Sequence, residues 1–173
     1  MISRDFISDL RQFTAISAVA VSALRNQGQG TIRRVRTILG KLDLTTALKL
    51  QTPDDFAGWL DATTLSVIRA TSAQWGASRK AVNLFLRASL YNKYLNASFD
   101  LDRLQYWMEI PLDKVVATYL TEQADRKQLP VWRGLKKLTE DDSASFQKYA
   151  MRLAEDRAIA RVHLDVSIWV HRR

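Results

Sequence analysis

Apolar residues recur three and four positions apart through most of this chain, and only six glycines and three prolines interrupt its 173 residues. That spacing gives each segment one apolar stripe on a 3.6-residue period, and so few breakers leave little room for hairpins or sandwich corners. The pattern predicts an all-α, compact helical domain, with residues 1–173 forming one domain.

Helix ends can be read from local chemistry. The first helix is expected from about Ser3 to Leu24, ended by the segment Asn26 to Gly30. Thr31 opens a second helix carrying Ile32, Val35, Ile38 and Leu39 on one face, and Gly40 stops it. Thr52-Pro53-Asp54-Asp55 combines an N-cap threonine, a proline at the first helical position and two first-turn acids. It predicts a short helix to about Leu60, with Asp61 capping the next, which ends before Trp75-Gly76. A further helix then carries Lys80 to about Leu95. Phe99 to Met108 has another short helical pattern, Pro111 begins a helical segment over Asp113 to Thr121, and Leu129 to Gly134 reads as a loop. Thr139 with Asp142 has capping-box spacing and opens a helix to about Arg157. The tail alternates at Val162, Leu164, Val166, Ile168 and Val170, which predicts a short C-terminal strand.

Lysine and arginine outnumber aspartate and glutamate 26 to 18, for a net charge of +8 and a pI near 10.0. The cations are spread over Arg33, Arg34, Arg36 and Lys41, then Arg79, Lys80, Arg87 and Lys93, then Arg126, Lys127, Arg133, Lys136 and Lys137. Spread of this kind favours a folded basic surface facing a polyanion, nucleic acid first, over a disordered basic arm. With no cysteine, disulfides, thiolate zinc sites and cysteine-ligated clusters are excluded. His163 and Asp165 lack metal-site spacing, so no metal and no cofactor is expected. The apolar run Phe13 to Val21 is too short to span a membrane and follows Asp5 and Asp9, so the expected setting is cytoplasmic or nucleoid-associated, away from membranes, with a monomer favoured.

The segment Gly76-Ala77-Ser78-Arg79-Lys80 opens into the apolar run Ala81 to Leu86. Read as a small-residue turn at a helix N-terminus, it would offer backbone N–H groups to a phosphate. A lysine in that first turn meets the positive end of the helix dipole, which works against its charge and toward nucleophilic behaviour.

This segment resembles the hairpin of the helix-hairpin-helix DNA glycosylase superfamily, the base-excision enzymes related to endonuclease III. The family's hairpin runs leucine, proline, glycine, valine, glycine, arginine, lysine, threonine, alanine, asparagine; Gly76, Arg79, Lys80 and Asn83 stand in matching places. Ser78 replaces the second glycine, and Gln74-Trp75 replaces the leucine and proline. Leu112-Asp113-Lys114-Val115 corresponds to the family's catalytic aspartate segment, without its histidine. Lys80 and Asp113 are 33 residues apart, nearer the archaeal 8-oxoguanine glycosylase branch. The likeness covers about residues 10 to 125.

The resemblance implies a helix-hairpin-helix element and a DNA glycosylase with AP-lyase activity that excises a modified base from duplex DNA. Lys80 would attack the sugar C1′ and Asp113 would stabilise the charge developing there. Gly76, Ala77, Ser78 and Arg79 would hold the DNA backbone, and an extruded base would need aromatic or apolar walls, with Trp75, Trp107 and Trp132 nearby. Two readings stand beside it: a non-catalytic DNA-binding or adaptor protein on the same scaffold, and a helical subunit with an acidic protein partner. Taken singly, Lys80 is also compatible with a solvated cation and Asp113 with an ordinary first-turn acid.

Overall fold

The computed structural model describes residues 2–24, 27–125 and 127–171, all helix, 3₁₀ turn or loop. Asn26 of the expected first helix end and Arg126 of the basic series lie outside them. Eight α-helices are present among the described residues: α1 Arg4–Ala18, α2 Thr31–Gly40, α3 Pro53–Thr71, α4 Trp75–Tyr91, α5 Lys93–Phe99, α6 Lys114–Gln123, α7 Glu140–Glu155 and α8 Arg161–His171. No helix is long and apolar enough to cross a membrane.

Two of the expected caps form where the sequence places them, and the one expected at Asp61 does not. Thr52 accepts from the Asp55 N–H while the Asp55 carboxylate accepts from the Thr52 N–H, a complete capping box, and Thr139 accepts from the Asp142 N–H. Several boundaries differ, and the helical pattern over Phe99 to Met108 yields only the 3₁₀ turn Leu101–Leu104. The first helix ends at Ala18, and a separate 3₁₀ turn covers Val21–Leu24; Arg36 on α2 donates to the Val19 carbonyl between them. α3 runs unbroken through Asp61: its carboxylate accepts from Arg79 instead of capping a new helix, and Thr63 and Thr64 bond their hydroxyls back to the Trp59 and Leu60 carbonyls within the same helix. α4 stops at Tyr91, where Asn92 caps α5 by accepting from the Tyr94 and Leu95 N–H groups.

The expected C-terminal strand is a helix. Val162, Leu164, Asp165 and Ile168 turn inward on α8, while Val166 and Val170 are exposed. Among the described residues no strand offers a ladder, so the segment satisfies its backbone internally.

The helices enclose two hydrophobic cores. The first takes side chains from α1 through Met108, with Ala160 and Val162; the second takes Ile110 through Ile168. α4, buried along most of its length, packs on α1, α3, α5, α7 and the 3₁₀ turn Leu135–Lys137. The chain crosses between the cores at Glu109.

Candidate functional site

The crossover, residues 108–113, has no regular secondary structure, so its peptide groups need partners from elsewhere. Side chains from three helices hold the segment, two of them through its peptide groups. From α8, Arg161 donates to the carbonyls of Trp107 (2.8 Å) and Met108 (2.9 Å). From α7, the Gln147 amide accepts from the Ile110 N–H (3.0 Å) and donates to the Ile110 carbonyl (2.9 Å). From α4, Arg79 grips Glu109 bidentately, Nε to Oε2 at 2.8 Å and Nη2 to Oε1 at 2.9 Å, and Asn83 donates to the same Oε2 at 2.8 Å. Burial alone would push the Glu109 carboxyl up; the Arg79 hydrogen bonds and charge, with Asn83, outweigh it and hold it below the usual carboxylate range.

This fastening fixes Asp113 opposite Lys80. Asp113 is the N-cap of α6, its Oδ1 accepting from the Val116 N–H at 3.0 Å, and its Oδ2 accepts from Lys80 Nζ at 3.1 Å. The two side chains are 10% and 13% exposed, so the ion pair is largely withdrawn from water yet reachable. The structure thus brings together two candidate catalytic residues that lie 33 positions apart in the sequence.

The expected DNA-holding turn is placed differently. α4 begins at Trp75, so Gly76, Ala77 and Ser78 are helical and buried, and the real connection from α3 is Ser72 to Gln74, with Ser72 left-handed at φ 57°. A Cβ at Gly76 would lie 2.5 Å from the Leu135 carbonyl oxygen and 2.9 Å from Leu138 Cβ. The small residues therefore admit a neighbouring backbone rather than a phosphate. Arg79 turns inward to Glu109 and Asp61 and lies over the Trp75 ring. Lys80 falls in the second turn of α4, beyond the reach of the dipole argument, which fades after the first turn.

Lys80 and Asp113 stand where two clefts meet. One, of about 800 Å³, runs between α4 and α8 and is walled by Leu84, Arg87, Tyr91, Pro111, Trp169 and small residues at 18–23. In it Arg87 pairs with the buried Asp165, and burial works against the Arg87 charge while Tyr91 and Asp113 favour it. Tyr91 stacks on His163 with ring centres 5.5 Å apart, and its hydroxyl lies 2.8 Å from Nδ1. The other cleft, of about 570 Å³, is lined by Lys114, Arg133, Lys136 and Trp132. Sequence reasoning missed Glu109, Asp165 and Trp169 as site neighbours. Arg87 was legible in principle, since it follows Lys80 by two helical turns on the same face.

Among the described residues no three histidine, aspartate or glutamate side chains converge to hold a metal ion. Family models, curated proteins and solved structures were each compared with the chain, and none matches. What the geometry offers chemically is a primary amine and a carboxylate in contact, at the junction of an aromatic-walled cleft and a basic one.

Proposed function

We propose that the chain is a DNA glycosylase with AP-lyase activity on a helix-hairpin-helix scaffold. The observation that carries the reading is the 3.1 Å contact between Lys80 Nζ and Asp113 Oδ2 at the meeting of two clefts. The short α3 to α4 connection, the +8 net charge and the resemblance of the α4 segment support it.

In this reaction a modified nucleotide leaves the base stack and its sugar C1′ comes to the amine. The C1′–N bond breaks with its electron pair leaving on the base, and the Asp113 carboxylate faces the positive charge that develops on the sugar. Asp113 Oδ2, already hydrogen-bonded to the amine, takes one proton from Lys80; the freed lone pair forms the N–C1′ bond. The second amine proton passes to the ring oxygen as the C1′–O4′ bond breaks, giving a Schiff base, and loss of a proton from C2′ to solvent then expels the 3′ phosphate.

Borohydride reduces that Schiff base to a stable amine, so a panel of modified duplexes tests the proposal directly. The wild-type chain forms a covalent adduct on its substrate, Lys80→Gln forms none, and Asp113→Asn slows base release by about 10²-fold or more. Adduct formation by Lys80→Gln at the wild-type rate overturns the assignment.

A further inference from the structure

The residues expected to meet phosphates, Gly76 to Ser78, are covered, and the segment that covers them is basic. Between Asp125 and Glu140 the sequence contains no acid and carries Arg126, Lys127, Arg133, Lys136 and Lys137. Four of its apolar residues fasten it down, Val131 remaining exposed: Trp132 meets Phe146 edge-on with ring centres 5.8 Å apart, Leu138 is buried, and Leu129 and Leu135 pack on the second core. The cations among its described residues lie outside. Arg133, Lys136 and Lys137 are exposed, and among the described residues none of them, nor the exposed Lys114, forms an ion pair.

Gly76 makes this seating possible. The Leu135 carbonyl occupies the space a side chain at position 76 would need, so the 3₁₀ turn Leu135–Lys137 lies directly against the first turn of α4. The groove it forms, about 570 Å³, has Lys114, Arg133 and Lys136 along its walls and ends at Lys80 and Asp113. Those cations and the amine line one groove.

We propose that the loop 129–137, seated on Gly76, is the surface that holds the phosphates of a nucleic-acid strand beside the Lys80–Asp113 pair. The choice of nucleic acid rests on the glycosylase reading; the assignment of the surface rests on the loop. A phosphate backbone suits it better than an acidic protein, because the groove includes the Lys80–Asp113 pair and presents unpaired cations without an acidic residue in the loop.

The test is duplex binding as a function of salt, by fluorescence anisotropy with the full chain and a short undamaged DNA duplex. Each lost phosphate contact lowers the slope of log K against log salt by about one. Arg133→Gln with Lys136→Gln is therefore expected to lower it by about two and to weaken binding about 30-fold at 0.15 M salt. Arg33→Gln with Lys41→Gln on the α2 face removes the same charge and leaves the slope unchanged. Gly76→Ala, compared where its helix content matches wild type, weakens binding with every charge in place.

An unmoved slope in the Arg133/Lys136 variant overturns the loop assignment, as does tighter binding of polyglutamate than of DNA at matched charge. If that variant keeps the wild-type slope while the wild type still traps a damaged duplex, the loop assignment falls and the glycosylase reading stands. Loop-dependent binding by a chain that traps no damaged duplex overturns the catalytic reading alone.

Discussion

Glu109→Gln strikes the fastening between the two cores. The side chain is 14% exposed and accepts from two nitrogens of Arg79 and from Asn83, so the substitution keeps the shape and removes the charge that Arg79 faces. Breaking a buried pair by neutralising one partner costs about 3–5 kcal/mol. Arg79 keeps Asp61, 56% exposed, and Thr64, which places the expected loss near the lower end, about 3 kcal/mol. For a chain of this length each kcal/mol moves Tm by about 2–4 °C, so a drop of about 6–12 °C at pH 7 is expected by circular dichroism. The pH dependence has a definite sign. The folded carboxyl is held below its ordinary 4.5, so its contribution is complete above that value and is lost as pH falls through the folded one. The wild type therefore loses stability on acidification below about 4.5, and Glu109→Gln flattens that part of the profile. A Tm change under about 2 °C, or an acid limb identical in both proteins, refutes the reasoning.

Two further outcomes follow from neighbouring contacts. Gln147→Leu strips both partners from the Ile110 peptide inside the fold, and a loss of about 3 kcal/mol in urea unfolding is expected; a loss under about 1 kcal/mol shows that the amide is not what holds the crossover. Burial pushes His163 below its ordinary 6.5, with Asp102 opposing, and a ring protonated on Nε2 donates to Gln105 Oε1 while Nδ1 accepts from Tyr91; an NMR titration is expected to place its midpoint below 6.5, and a midpoint at or above that value contradicts the arrangement.

What the sequence discloses here is what local chemistry decides. Thr52 with Asp55, Thr139 with Asp142 and the stop at Gly40 each involve groups within four residues, and all three boundaries are where they were read. The tail misled because Val162, Leu164 and Ile168 fit an alternating pattern as well as a helical one, and two of its apolar residues, Val166 and Val170, face outward on the lip of the larger cleft. Gly76 misled for a related reason. A small residue signals close approach, and whether the approaching group is a phosphate or the Leu135 carbonyl depends on a segment about sixty residues away. Lys80 and Asp113 were nominated by resemblance, whereas Glu109, which fastens the crossover that carries Asp113, sits in no pattern at all. Its role exists only through Arg79 and Asn83 across 30 and 26 residues.

Asp113 serves two purposes, and one substitution separates them. Its Oδ1 caps α6 and its Oδ2 meets Lys80. Asparagine caps as well as aspartate, so Asp113→Asn keeps the start of α6 while removing the charge; Asp113→Ala would remove both and confuse the readings. If the carboxylate serves chiefly to stabilise the sugar cation during base departure, the loss falls on that step. An amine beside asparagine still attacks a sugar from which the base is already gone. Asp113→Asn is then slow on a modified duplex but traps efficiently on one carrying a preformed abasic site. Equal slowing on both duplexes means instead that Asp113 is needed to take the Lys80 proton, and its chief role moves from the sugar to the amine.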